Sequence, residues 1–265
     1  MSFLFNYYGM TWNGVEFNLH SVIPWWGMVI YFLVIIGLIV YAWNKHILAN
    51  FKTVDFVYMG LLAAILVIYN FFISPLVPKF TAITSVFYYT TIGELFILFL
   101  VAALIGKAGS VMIMMFIYTL LSDIFHYGFG GEPFWFIYEI TAYAALIDMY
   151  LLLRGKYMGT PFQRTFRAAA TTVQTAQPTG TSKVKEGIRK IPGLYFVDGA
   201  VVGFVVMIAY NFWYQGFWAT FVEGYLYTPN YILFQTATNG LGGIVAGIIL
   251  APLVYYIKKV IVGSL

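Results

Sequence analysis

Long apolar runs constrain this chain more than any other feature of its sequence. Runs of about 18 or more apolar residues are typical of helices that span a lipid bilayer. Seven such runs predict spanning helices at about 22–43, 55–77, 86–105, 109–126, 134–153, 195–216 and 232–257. None of them shows the strict alternation of a membrane β-barrel strand, so the sequence predicts an all-α integral membrane protein.

The composition supports a membrane protein and excludes several kinds of chemistry. Charged residues make up 9% of the chain and hydrophobic residues 62%, whereas a soluble domain carries about 25% charged residues. The absence of cysteine excludes disulfides, thiolate metal sites and thiol catalysis. No HExxH, GxSxG or P-loop motif occurs, and residues 1–21 lack the basic start of a secretory signal. We therefore expect no enzymatic activity, no cofactor, no metal and no nucleic-acid partner.

The basic residues predict how the chain is oriented in the membrane. Lys and Arg are enriched in cytoplasmic loops of membrane proteins. If the N-terminus lies outside, all of the 14 Lys and Arg residues except Lys79 fall on the cytoplasmic side. We therefore predict a multi-pass protein of the plasma membrane, with its N-terminus outside and its C-terminus inside.

One long polar segment, 154–194, separates the first five predicted spans from the last two. Its middle, "TTVQTAQPTGTSK", has the composition of a flexible linker. Just before it, Phe162, Phe166 and Val173 recur at helical spacing beside Arg164 and Arg167. This pattern fits a short basic amphipathic helix on the inner leaflet, and it fits a solvated basic linker equally well.

Polar side chains recur at one depth in the outer half of the predicted membrane domain. With a rise of about 1.5 Å per residue, Glu94 lies roughly 12 Å below the outer surface. Ionisable side chains are costly in hydrocarbon and commonly mark functional sites. The polar residues predicted at this depth are Glu94, Asp123, Glu139, Asn211, Gln235 and Asn239. We predict an outward-facing pocket here, although hydrogen bonds between neighbouring helices are an alternative explanation.

Aromatic residues share the level of these polar groups, among them Trp135 and Trp213. They fit an interfacial aromatic belt, and they also fit the wall of a pocket for a flat, polar heterocycle, either neutral or cationic. The acids of the inner half, Asp55, Asp148 and Asp198, lie near cytoplasmic ends. We expect these three to pair with Lys or Arg.

Small residues at four-residue spacing predict close helix contacts in the second and seventh spans. Gly60 and Ala64 form such a face in the second span, and Gly243, Gly247 and Ala251 form one in the seventh. The face of the seventh span favours packing within the chain. The face of the second span fits internal packing and a partner protein equally well.

Residues 53–105 contain "TVDFVYMGLLAAILVIYNFFISPLVPKF" and "GELFILFLVAALIGKAGS". These stretches resemble the start of S-components of energy-coupling-factor (ECF) vitamin transporters, including a cytoplasmic turn matched here by Lys107–Gly109. The helix pair that follows and the last helix, "PNYILFQTATNGLGGIVAGIILAPLVYYI", fit the same outline. The resemblance covers about residues 53–260, and the nearest group is associated with hydroxymethylpyrimidine and thiamine precursors.

The resemblance implies a six-helix S-component core at 53–260, interrupted by the cytoplasmic loop 154–194. Residues 1–52 would then form an extracellular segment and one extra N-terminal helix. Such a protein captures a vitamin or vitamin precursor and docks on a coupling transmembrane subunit driven by cytoplasmic ATPases. The docking face would be Gly60, Ala63 and Ala64. The substrate-binding residues would be Glu94, Asp123, Trp135, Glu139, Trp213, Gln235 and Asn239.

Other functions fit part of the sequence. An accessory or structural subunit of a larger membrane complex would use the same polar groups only for contacts between helices. An ion-coupled secondary carrier typically has inverted repeats and polar groups near the midplane. This sequence shows no convincing repeat, and its inner half lacks a polar pathway, so this function ranks lower. An intramembrane enzyme has the weakest support, because no catalytic motif occurs.

Overall fold

The computed structural model describes residues 23–44, 51–76, 89–124, 137–154, 193–219 and 227–263. Every regular element in these ranges is helical, which confirms the all-α class. The α-helices are α1 (Trp25–Asn44), α2 (Thr53–Ile68), α3 (Tyr89–Ile105), α4 (Ser110–Ser122), α5 (Ala145–Arg154), α6 (Gly193–Trp213) and α7 (Pro229–Gly263).

Three of these helices are long and apolar enough to cross a membrane, judged by length and composition. They are Thr53–Leu76, Gly193–Trp218 and Pro229–Ile261. Shorter apolar helices occupy Trp26–Tyr41, Thr91–Ile105 and Ser110–Ser122. The chain is therefore a helical membrane protein, while the number of spans, the orientation and the division at residue 52 stay predictions. The loop 154–194 and the proposed amphipathic segment lie almost wholly outside the described residues.

Helix α3 occupies the centre of the packed helices. The side chains from Leu98 to Ala103 are all at most 5% exposed. Helix α3 contacts α2, α4, α6 and α7, so it is apolar around its whole circumference rather than along one stripe. A helix that is hydrophobic all round is expected in the interior of such a bundle.

Helices α6 and α7 form the closest helix contact in the described part of the chain. A Cβ atom added to Gly203 would lie 1.9 Å from the carbonyl oxygen of Gly243, and one added to Gly247 would lie 1.9 Å from that of Gly199. The two backbones touch because all four positions lack a side chain. The small-residue face predicted in the seventh span is thus used for packing within the chain.

Helix α1 lies at the periphery and meets the other helices near one end. The backbone N–H of Ile23 donates to the carbonyl of Gly216 at 3.0 Å. The hydroxyl of Tyr31 donates to the carbonyl of Ala142, also at 3.0 Å. Much of α1 is exposed, including Leu33 at 62%, as expected of a helix that faces lipid.

Ionic and capping contacts gather at one end of the helices, which we call the lysine end. Asp55 accepts a hydrogen bond from the backbone N–H of Lys52 at 2.7 Å and forms an ion pair with Lys107. Asp198 accepts a hydrogen bond from Tyr150 at 2.5 Å and is attracted to Lys258. The predicted pairing with a basic residue is therefore confirmed for Asp55, while Asp198 is hydrogen-bonded to Tyr150 and only electrostatically attracted to Lys258.

Asp148 has a different partner from the predicted one. Its carboxylate accepts hydrogen bonds from the backbone N–H groups of Val111 at 3.2 Å and Met112 at 2.8 Å. These are amides of the first turn of α4, which have no acceptor within their own helix. Among the described residues, Asp148 therefore caps the N-terminus of α4 rather than pairing with Lys or Arg. Its negative charge lies at the positive end of the α4 helix dipole, where it is stabilising.

The turn before α4 makes this cap possible. Gly106 and Gly109 have φ angles of 64° and 94°, in the left-handed region that favours glycine. The "GKAGS" turn predicted from the sequence is thus confirmed, and it directs the first amides of α4 towards Asp148. The same turn presents Lys107 to Asp55 of α2.

Candidate functional site

Two glutamates from different helices lie together in the interior, away from the lysine end. Glu94 of α3 is 7% exposed and accepts a hydrogen bond from the hydroxyl of Tyr143. Glu139, just before the fifth helix, contacts the hydroxyl of Thr119 at 3.0 Å. Glu94 and Glu139 are close enough to interact electrostatically. Three distant parts of the sequence therefore meet at one pair of carboxylates.

Further polar side chains extend this group. Tyr118 of α4 interacts electrostatically with Glu94 and Glu139, and its hydroxyl accepts a hydrogen bond from Asn70 at 2.8 Å. The carbonyl oxygen of the Asn70 side chain is buried and has no partner among the described residues. We call Glu94, Glu139, Asn70, Tyr118, Thr119 and Tyr143 the carboxylate cluster.

The hydrogen bonds of Thr119 are compatible with both protonation states of Glu139. The Thr119 hydroxyl lies 2.8 Å from the carbonyl oxygen of Met115 and 3.0 Å from Glu139. A hydroxyl has only one proton to donate. Either Thr119 donates to an ionised Glu139, or it donates to Met115 and accepts from a protonated Glu139. The cluster can therefore hold or release a proton at this position.

No basic side chain neutralises these glutamates within the described ranges. Their hydrogen-bond partners are the neutral hydroxyls of Tyr143 and Thr119. The described lysines, Lys52, Lys107, Lys258 and Lys259, lie at the opposite ends of their helices. Buried charge is costly unless a partner compensates it, so the cluster favours a proton or a cationic ligand.

Three π-helical turns surround this region. They are Tyr69–Ile73 after α2, Ile140–Ala144 before α5, and Tyr214–Trp218 after α6. Such turns displace side chains from regular helical positions and occur frequently at functional sites. Two of them hold the cluster residues Asn70 and Tyr143, so the helices depart from regular geometry where the polar groups converge.

Gly93 provides the space that the first of these turns needs. A Cβ atom at this position would lie 2.0 Å from the ring of Tyr69. The Tyr69 ring therefore packs directly on the backbone of α3, next to Glu94. A larger residue at 93 would require the Tyr69 ring to move from this position.

A second polar group, the amide cluster, joins α6 and α7. The amide nitrogen of Asn239 lies 3.2 Å from the side-chain oxygen of Asn211 and 3.0 Å from that of Gln235. Asn211 is itself held by a 2.8 Å bond to the carbonyl of Met207. We define the amide cluster as Asn211, Gln235 and Asn239.

Tyr138 connects the carboxylate cluster with α6. Its side chain is fully buried, and its hydroxyl donates to the carbonyl of Tyr210 at 3.0 Å. Its ring centroid lies 6.2 Å from that of Tyr143 and 6.3 Å from that of Tyr214. An aromatic layer therefore lies beside the carboxylates, as the aromatic content at this level predicted.

The structure brings together most of the predicted substrate-binding residues, in two groups. Glu139 interacts electrostatically with both Glu94 and Asp123, and Gln235 and Asn239 share the amide cluster. Trp213 instead stacks on Tyr31 of α1 with 4.4 Å between the ring centroids. Trp135 lies outside the described residues.

The residues of the predicted docking face on α2 differ in how accessible they are to a partner protein. Ala63 is fully buried in the core of this chain, so it is unavailable to a partner protein in this arrangement. Ala64 is half-buried, and nothing lies within 4 Å of a Cβ built on Gly60. Only Gly60 and the exposed side chains beside it remain for an interface.

Sequence reasoning missed Asn70, Tyr118 and Thr119 as members of the carboxylate cluster. Asn70 could have been predicted, since an amide within the apolar run "VIYNFFI" is as unusual as the acids predicted to line the pocket. Tyr118 and Thr119 had no such signal, because hydroxyl residues are common in membrane helices. In the described part of the chain, no group of three or more His, Asp or Glu residues could hold a metal ion.

Comparison with known proteins yields no match to this chain, whether with family models, with curated proteins or with solved structures. The resemblance to ECF S-components therefore stays a prediction from the residues.

Proposed function

We propose that this chain is the substrate-binding membrane subunit of an ECF-type importer, with no catalytic residues of its own. It would capture a small vitamin-like heterocycle at the carboxylate cluster. It would then dock on a coupling transmembrane subunit driven by cytoplasmic ATPases. The observation that carries this proposal is the pair of buried glutamates, Glu94 and Glu139, whose hydrogen-bond partners are neutral hydroxyls.

The arrangement favours a particular kind of ligand. Besides the carboxylates, the buried carbonyl oxygen of Asn70 is an acceptor without a partner among the described residues. Aromatic rings, including those of Tyr138 and Tyr143, lie beside these acceptors. A flat ligand with N–H donors or a positive charge would supply what these groups lack. Ligands with a free carboxylate would be repelled.

Charge-neutral variants of the two glutamates test the proposal. We would screen vitamin-like heterocycles, including aminopyrimidines, thiazolium compounds and flavins, for binding to the purified protein. We expect Glu94→Gln and Glu139→Gln to lose the binding seen in the wild type, because the amide keeps the shape and removes the charge. Asp55→Asn is the matched control, since it removes a carboxylate at the lysine end. Unchanged affinity in both Gln variants would refute the assignment of the pocket.

An ion-coupled carrier is a second candidate, supported by one observation. Thr119 contacts both Glu139 and the carbonyl of Met115, an arrangement that accommodates a proton on Glu139. A carrier of this kind would transport its substrate in proteoliposomes without ATPase partners and would respond to a pH gradient. An S-component would bind its ligand but would not transport it alone. Transport by the isolated chain therefore separates the two functions.

An accessory subunit of a larger complex is a third candidate. Its support is that the glutamates already have hydrogen-bond partners within the chain, as contacts between helices alone would require. Such a protein would co-purify with fixed membrane partners and would bind none of the heterocycles in the screen.

A further inference from the structure

Tyr31 of α1 donates a hydrogen bond to the π-helical turn that lies between Glu139 and α5. Its hydroxyl contacts the carbonyl oxygens of Thr141 and Ala142, the latter at 3.0 Å, so its one proton is shared between two acceptors. The ring of Tyr31 packs on Trp213, with 4.4 Å between the ring centroids. This contact fixes the direction in which the hydroxyl points.

The π-helical turn Ile140–Ala144 deprives Thr141 of its usual hydrogen-bond donor. In a regular α-helix, the N–H of Ala145 would donate to the carbonyl of Thr141, four residues earlier. In this turn it donates to the carbonyl of Ile140, five residues earlier. A backbone carbonyl without a donor is costly in the protein core and in lipid alike. The hydroxyl of Tyr31 therefore replaces the donor that Thr141 has lost.

The same turn determines which way Glu139 points. Glu139 contacts Thr119 of α4, and Asp148 contacts the N–H of Met112 of the same helix. Thr119 and Met112 are seven residues apart and lie on one face of α4. Over the nine residues from Glu139 to Asp148, a regular α-helix would turn through about 900° and place the two side chains on opposite faces. The π-helical turn accommodates one extra residue, which reduces the rotation to about 800° and lets both side chains face α4.

We propose that Tyr31 is a positioning residue of the carboxylate cluster. Its hydroxyl stabilises the π-helical turn, and the turn keeps Glu139 directed at Thr119. Without this hydroxyl, regular α-helical bonds would satisfy Thr141, and Glu139 would rotate by about 100° away from α4. Helix α1 thus helps to form the site although it contributes no carboxylate to it. The consequence for ligand binding rests on the proposed function.

Infrared spectroscopy of the full-length protein in mild detergent tests the proposal without a ligand. In each background, the carboxyl band of Glu139 is the difference between the spectra with and without Glu139→Gln. Thr119→Val removes the hydroxyl partner of Glu139 and so shifts this band. We expect Tyr31→Phe to shift it in the same direction, because Glu139 then turns away from Thr119. Mere attachment of α1 by Tyr31 would leave the band in place.

A cycle of double variants measures the same coupling by thermal unfolding. Tyr31→Phe keeps the ring on Trp213 and loses one hydrogen bond, so Tm should fall by about 2–4 °C. Since Glu139 has then left Thr119, adding Thr119→Val should lower Tm by less than it does in the wild type. Asp55→Asn is the matched control at the lysine end, and it should lower Tm equally in both backgrounds.

Two results would overturn the proposal. One is a Glu139 band that Tyr31→Phe leaves unchanged, and the other is a loss of Tm from Thr119→Val that is equal in both backgrounds. If Tyr31→Phe does not fold, 3-fluorotyrosine at position 31 decides, because its more acidic hydroxyl is a stronger donor. A Tm above that of the wild type supports the proposal, and an equal or lower Tm refutes it.

These measurements distinguish the role of Tyr31 from the proposed function. A protein that binds no heterocycle would refute the proposed function and leave the shift of the Glu139 band as the test of Tyr31. An unshifted band would refute the role of Tyr31 and leave the binding screen unaffected.

Discussion

From the glycine contact between α6 and α7 we predict that Gly203→Ala destabilises the protein, by an amount that follows from the structure. In Gly203→Ala, the new Cβ would lie 1.9 Å from the carbonyl oxygen of Gly243, whereas real Cβ contacts are essentially never under 3.0 Å. The helices must therefore separate by about 1.1 Å at this point. The obstacle is backbone, which cannot rotate away as a flexible side chain could.

Overpacking of this kind typically costs about 1–3 kcal/mol. For a chain of this size, the cost corresponds to a decrease in Tm of about 2–10 °C. The assay is thermal unfolding of the purified protein in one detergent, followed by the loss of helical circular dichroism.

Gly60→Ala is the matched control, because nothing lies within 4 Å of its added Cβ. Alanine is favoured over glycine in a helix by up to about 1 kcal/mol, so this variant should be as stable as the wild type or slightly more stable. If Gly203→Ala unfolded at the same temperature as Gly60→Ala, the contact between the two backbones would be refuted.

Two further substitutions test the structure around the predicted sites. Asp148→Asn keeps the size of the side chain but removes the charge and one acceptor from the first turn of α4. We expect the free energy of unfolding to fall by about 1–2 kcal/mol. A loss no greater than that of Asp55→Asn would contradict the cap. Gly93→Ala should lower Tm because its Cβ would meet the Tyr69 ring at 2.0 Å, and adding Tyr69→Ala should recover part of the loss. A double variant no more stable than Gly93→Ala would show that this ring is not the obstacle.

The helical class and the positions of the helices could be predicted because hydrophobicity alone determines them in a membrane. The turn before α4 was also predictable, since Gly106 and Gly109 flank a short break between two apolar runs. The close α6–α7 contact was partly predictable. Gly243 and Gly247 indicated it, and "GAVVG" at 199–203 carried the same four-residue spacing on the other helix.

Partners across helices could not be predicted, because they depend on which faces meet. Asp148 lies near basic residues in the sequence, yet its carboxylate accepts hydrogen bonds from the amides of Val111 and Met112 in α4. Ala63 was predicted to share a docking face with Gly60 and Ala64, but its side chain is turned towards the core. The π-helical turns at Tyr69, Ile140 and Tyr214 have no known signature in a single sequence, and they determine where Asn70 and Tyr143 point.

The predicted site was identified by depth in the membrane, and the structure brings some, but not all, of the residues predicted there into contact. Glu94 and Glu139 share the carboxylate cluster, and Asp123 lies outside it but interacts electrostatically with Glu139. Depth does not give the direction around a helix, which is why Trp213, at the same level, packs on Tyr31 instead.

The most direct test of the central claim is native mass spectrometry of the protein purified in mild detergent without added ligand, with any released molecule identified. If the carboxylate cluster binds its ligand tightly, we expect a small nitrogen heterocycle to be released from the wild-type protein in the spectrometer. The same molecule should be absent from the Glu139→Gln variant. An empty wild-type chain accompanied by other membrane subunits would contradict the claim and favour the accessory subunit.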